Sequence, residues 1–76
     1  MKIMSQDIDH IALIINGESV HAPRGGTLAE LVAKMELDTR KLAIERNLEI
    51  VPRSQYAATM LHDGDRLEIV HFVGGG

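Results

Sequence analysis

The apolar and polar positions of this chain fall into six segments, each with its own period. Ile11 to Ile15, "IALII", is dense in β-branched residues and predicts a strand. Asn16-Gly17 follows, a two-residue hairpin signal because both residues tolerate positive φ. "ESVHA" at 18–22 returns as a second strand, punctuated by "PRGG" at 23–26. Thr27-Leu28-Ala29-Glu30 has the form of a capping box, in which the threonine hydroxyl and the glutamate carboxylate satisfy two early N–H groups. Leu28, Leu31, Val32 and Met35 then recur at helical spacing and predict one apolar helix face. Lys34 suits the helix dipole at its C-terminal end. Residues 37–41 read as a loop, and "LAIERN" at 42–47 as a third strand. "EIV" at 49–51 is a short strand stopped by Pro52, which cannot donate to a ladder and so belongs at an edge or exit. One short helical turn is expected within 53–61, and a tight turn at Asp63-Gly64-Asp65. Residues 66–73, "RLEIVHFV", make the last strand, with Leu67, Ile69, His71 and Val73 on one face.

The order β-β-α-β-β-β predicts an α+β fold in which one sheet buries a face against one main helix. Residues 1–10 are polar and aperiodic apart from Ile3 and Met4, and are expected to be a flexible lead-in. The domain proper is expected over 11–73, followed by a flexible glycine tail at 74–76. If Leu67 and Ile69 face the helix, Val70 and Phe72 turn to the other face. Apolar residues there, beside the tail, are expected to dock a partner, with Phe72 as anchor.

At 76 residues the chain is one domain with a small core. It has no cysteine, which excludes disulfides and thiolate metal sites, and its 45% hydrophobic content suffices for a core without them. A formal net charge of −3 with interspersed signs argues against a nucleic-acid binder. No apolar run approaches the length of a membrane span, and no secretory signal is legible, so a cytoplasmic protein is expected.

Catalytic constellations are absent from the sequence. His10, His21, His62 and His71 lack metal-ligand spacing and read as surface or sheet-edge residues. "RGGT" at 24–27 stands before a helix, a place that can cradle an anion, but it lacks the lysine of a P-loop and reads as a plain turn. Asp63 and Asp65 flank a turn glycine and read as turn residues rather than a carboxylate pair.

The end of the chain, "HFVGGG", raises the remaining chemistry. Three glycines at a terminus will not pack into a core. They are either an idle frayed end or a backbone kept bare so that a terminal carboxylate can enter a narrow channel. Such a group suits acyl activation: ATP converts it to an acyl-adenylate, and a sulfur nucleophile displaces AMP. Five extended residues, Phe72 to Gly76, reach about 16–18 Å. With no cysteine of its own, such a chain would be a carrier and co-substrate, not the catalyst.

Four segments carry a family resemblance: "IINGE" at 14–18, "TLAELV" at 27–32, "LAIERNLEIVPRSQY" at 42–56 and "LHDGDRLEIVHFVGGG" at 61–76. The sequence resembles the thiamine-biosynthesis sulfur carrier proteins, of ubiquitin-like β-grasp fold, over about residues 11–76. The specific part is "N-x-x-IVPR" together with "DGD-x-LEIV" and a terminal di-glycine. The resemblance implies a mixed sheet packed on one helix. It implies that an adenylating enzyme of the ubiquitin-activating type uses ATP to adenylate the Gly76 carboxylate, while the carrier itself binds no cofactor. Sulfur supplied through a cysteine desulfurase would then give a thiocarboxylate, which thiazole synthase would draw on for the thiazole of thiamine. Gly74, Gly75 and Gly76 would thread the partner's channel, with Val70 and Phe72 docking beside it. Neither nucleic acid nor membrane is implied as a partner. Two other readings stand beside it: a molybdopterin-synthase-type sulfur carrier, and a non-catalytic β-grasp binding module of the kind appended to some aminoacyl-tRNA synthetases and GTPases.

Overall fold

The structure, a computed structural model, describes residues 8–72. Strand β1 (His10–Ile15) and strand β2 (Glu18–Pro23) form the expected antiparallel hairpin, with Ile15 opposite Glu18. Asn16 and Gly17 both take positive φ, at 50° and 85°, and this matches the hairpin's right-handed twist. β1 starts at His10, and Arg24 binds the Ile8 carbonyl through its side chain and the Asp9 carbonyl through its amide. The fold therefore takes in the last residues of the stretch expected as a lead-in.

Helix α1 (Leu28–Lys34) is capped as its sequence predicts. Thr27 N donates to Glu30 Oε1 at 2.9 Å, and Glu30 N donates to Thr27 Oγ1 at 3.2 Å. Leu28, Leu31 and Val32 are buried as expected. Met35 is not: the helix stops at Lys34, Glu36 turns away at φ 60°, and Met35 is left 41% exposed at the C-cap. The 37–41 segment is not a plain loop. Asp38 caps a 3-10 turn over Thr39–Lys41 by accepting from Arg40 N, and a bidentate pair with the Arg40 side chain lowers the Asp38 carboxyl to about 2.

Strands β3 (Leu42–Arg46) and β4 (Glu49–Val51) make a second antiparallel hairpin, and Pro52 leaves from the edge strand as expected. A 3-10 helix over Arg53–Ala58 brings Tyr56 into the core. The last strand, β5 (Arg66–His71), runs antiparallel to β3 and parallel to β1. The sheet order is β2-β1-β5-β3-β4, so the two ends of the domain pair at its centre. This is the mixed sheet on one helix of a β-grasp fold. β5 ends at His71, before Phe72 of the expected 66–73, while Val73 lies outside the described residues; His71 is exposed rather than buried with Leu67 and Ile69.

The core lies between one sheet face and α1. Leu13, Leu28, Val32, Ile44 and Leu67 are each at most 1% exposed. Burying such a side chain stabilises the fold by about 1.5–3 kcal/mol. The other sheet face carries no helix among the described residues, and that asymmetry positions the site.

Candidate functional site

β5 leads from the core towards the tail, and its neighbours fix where it points. On one side β3 accompanies it as far as Leu42 opposite His71, and Phe72 N donates to Lys41 O at 2.7 Å. On the other side β1 pairs only through Ile14 with Arg66 and Ile15 with Leu67. There β1 turns away, and the Asn16 carboxamide continues the ladder in its place. Ile69 N donates to Asn16 Oδ1 at 2.8 Å, and Asn16 Nδ2 donates to Ile69 O at 3.1 Å. The backbone of β5 is thus held on both edges up to Ile69, and on the β3 side alone from there to Phe72.

The start of β5 is anchored differently. Asp65 is 5% exposed and accepts from three donors: Arg46 Nε at 2.9 Å, Asn47 Nδ2 at 3.0 Å and His62 N at 2.9 Å. Burial pushes its carboxyl up, but the His62 amide, the Asn47 carboxamide and the Arg46 guanidinium together hold it below the ordinary value. Asn47 also accepts from Arg66 N at 2.9 Å. Asp63 accepts from Ala12 N at 2.8 Å and so ties the same turn to β1. The turn reading of Asp63 and Asp65 therefore holds, but for Asp65 it is incomplete. The side chain is the hub of a buried polar network, which the sequence alone did not reveal.

Strand alternation places Glu68, Val70 and Phe72 on the sheet face opposite α1. Val70 and Phe72 are each 54% exposed, as their pattern predicted. Two apolar residues that sequence reasoning missed share the exposed hairpin beside them, Leu48 at 83% and Ile50 at 74%. Ala43, Ile44, Glu45, Ile50, Glu68 and Val70 line a shallow cavity of about 300 Å³ on this face. The signal for Ile50 was available: in "EIV" the alternation puts Val51 towards the core and Ile50 away from it.

The competing chemistries find little support. Around "RGGT" the early helix amides are occupied by Thr27 and Glu30, and Leu28 N donates to Thr59 O at 2.8 Å, which leaves a turn rather than an anion cradle. A larger cavity of about 570 Å³ opens between β2 and α1, lined by Val20, Ala22, Leu31 and Met35 with Arg24 and Lys34. It presents no nucleophile beside a base. Among the described residues no cluster of His, Asp or Glu is arranged to hold a metal ion. Gly74, Gly75 and Gly76, and the mobility expected of them, lie outside the described residues.

The ThiS family model matches residues 10–76. A thiazole synthase of Paramagnetospirillum magneticum is 52% identical over 64 residues, which cover 84% of this chain but 20% of that protein. The chain thus spans about one fifth of the length of that relative. The sulfur carrier protein ThiS of Bacillus subtilis is 42% identical over 65 residues, covering 84% of this chain and 98% of that one. Among solved structures, the thiamine biosynthesis protein ThiS of Geobacter metallireducens superposes with a TM-score of 0.74 at 28% identity, covering 87% of this chain and all of that one.

Proposed function

The chain belongs to the ThiS family, and from that premise we propose that it is a sulfur carrier whose Gly76 carboxylate is the working group. An adenylating enzyme of the ubiquitin-activating type attacks the α-phosphate of ATP with that carboxylate, releasing pyrophosphate and leaving an acyl-adenylate. Sulfur drawn from cysteine through a desulfurase as a persulfide, and reduced by a thiol to the level of sulfide with formation of a disulfide, then displaces AMP. The product is a C-terminal thiocarboxylate, whose sulfur thiazole synthase takes for the thiazole of thiamine. The carrier supplies no catalytic group and binds no cofactor; ATP belongs to its partner.

The single observation that carries this reading is the family match, which runs through the terminal glycines to residue 76. The thiazole synthase relative, which contains a matching segment within a much longer chain, supports that acceptor over a molybdopterin-type one. The fold supplies the physical setting. β5 is held on both edges to Ile69 and by β3 as far as Phe72, beside an apolar face that a partner can cover. We place the carrier in the cytoplasm, where ATP is available to the adenylating enzyme.

ATP–pyrophosphate exchange catalysed by the adenylating enzyme tests the proposal, because exchange requires the carrier's carboxylate as acceptor. Exchange should depend on this chain and should collapse for Gly75→Val, which adds β-branched bulk in the channel. Gly75→Val supporting exchange at the parent rate would contradict the role of the glycines.

A further inference from the structure

The groove between β2 and α1 is apolar and, among the described residues, uncovered. Val20, Ala22, Leu31 and Met35 line it, with an open volume of about 570 Å³. Met35 keeps helical spacing with the buried Leu28, Leu31 and Val32, yet is 41% exposed here. β2 is the edge strand on this side, so its outer backbone groups have no strand beside them among the described residues. Apolar surface along a free strand edge is a place where folded chains ordinarily supply a cover. The described chain begins at the same place. Arg24, which lines the groove, gathers three successive carbonyls: its Nε donates to Ile8 O, its amide to Asp9 O at 2.9 Å and its Nη2 to His10 O at 3.3 Å. The backbone at residue 8 is therefore tied to the wall of the groove. Residues 1–7 precede it and lie outside the described residues; their sequence, "MKIMSQD", holds the adjacent apolar pair Ile3 and Met4. Seven extended residues span about 23–25 Å, whereas the strand from Arg24 back to Val20 covers about 13 Å. The family match begins at residue 10, so this segment lies outside the matched region.

We propose that residues 1–7 fold back over this groove and seat Ile3 and Met4 against Val20, Leu31 and Met35, so that the chain's own extension covers the β2 edge. Three features select this occupant. The segment is covalently rooted at the rim, so it competes for the groove at an effective concentration that a separate partner must exceed. It has the reach, with length left over for the turn past Arg24. It also brings apolar side chains to an apolar lining, where leaving water offsets the ordering of one short segment. The groove lies between β2 and α1 whereas the tail continues from β5, so the cover and the carrier function stand or fall separately.

The test is NMR of the full-length chain with labelled methyl groups. Nuclear Overhauser contacts are expected from the Ile3 and Met4 methyls to those of Val20, Leu31 and Met35. The double variant Ile3→Asp/Met4→Asp should abolish them and shift the Val20, Leu31 and Met35 methyl resonances. It should also speed amide exchange along β2 by about tenfold, while the amides between β3 and β5 exchange as in the parent. A sample mixing labelled with unlabelled chains identifies whose segment is seated. Contacts within one chain support the proposal, and contacts between chains would give the groove to a second copy and overturn it. Ile3 and Met4 methyls without contact to the groove in the parent would also overturn it. So would groove resonances that do not move in the double variant; the groove would then be open to a separate partner.

Discussion

Two asparagines and one leucine show how much a single residue decides in this fold. Asn16-Gly17 and Asn47-Leu48 are the central pairs of two hairpins, and all four residues have positive φ. In each case the asparagine side chain then reaches across to β5, Asn16 to Ile69 and Asn47 to Arg66 and Asp65. The family-specific sequence pattern joins Asn47 to the "DGD" turn, and the hydrogen bond from Asn47 to Asp65 is a physical reason for that pairing. Leu48 stands where the first hairpin has glycine, at φ 74° and 83% exposed. A left-handed conformation costs a non-glycine residue about 1–2 kcal/mol. Leu48→Gly should therefore raise stability by about 1 kcal/mol in urea unfolding, after allowance for the entropy of the unfolded glycine. Unchanged or lower stability would mean that Leu48 makes compensating contacts.

Asp65 gives the clearest dependence on pH. Its folded pKa lies below the ordinary 3.8. Its contribution is therefore complete above the unfolded value and drains away as pH falls through and below it. Asp65→Asn should cost about 2 kcal/mol at neutral pH, because Arg46 loses its charged partner in a mostly buried setting. The gap between the two proteins should close as pH drops below about 4. A gap that stays constant down to pH 2.5 would assign the cost to geometry instead of charge. The sequence showed the turn at Asp65 but not the network, because Arg46 and Asn47 are distant in sequence and meet Asp65 only once β3 and β5 pair.

At the scale of elements, local signals were read well wherever they were self-contained. The capping box, the Asn-Gly hairpin, the edge position before Pro52 and the alternation of β5 all rest on neighbours within a few residues, and the structure reproduces each. The errors fall at element ends. Met35 has helical spacing but sits past the last turn, and His71 alternates correctly but lies where β1 no longer flanks β5. Period alone does not say where a neighbour stops. The same alternation yields a functional prediction for β5. Phe72→Ala should weaken the complex with the adenylating enzyme about tenfold or more. It should shift the melting temperature by at most about 3 °C, because the side chain is half exposed and outside the buried cluster. A large loss of stability with unchanged affinity would show that Phe72 belongs to the fold and not to the interface.

For the whole molecule, the residue pattern supports an α+β sheet on one helix but not the strand order. The central parallel pairing of β1 with β5 spans 51 intervening residues from Ile14 to Arg66, and nothing local encodes it. The family resemblance implied a mixed β-grasp sheet, with which the structure agrees; the strand order itself comes from the structure. The topology matters because it makes the last strand central. A terminal segment that leaves a central strand starts from a rigid root with a free face beside it, whereas one leaving an edge strand would fray. The proposed function joins a strand root held by β3, an exposed apolar face, and a glycine terminus whose carboxylate is proposed to carry sulfur. Its central claim is tested most directly by mass spectrometry of the full chain after incubation with adenylating enzyme, ATP and a sulfur donor. The account predicts a mass gain equal to the difference between one sulfur and one oxygen, dependent on ATP and placed by fragmentation on Gly76. An unchanged mass under conditions where the enzyme adenylates its known carrier, or a gain placed on any other residue, would contradict it.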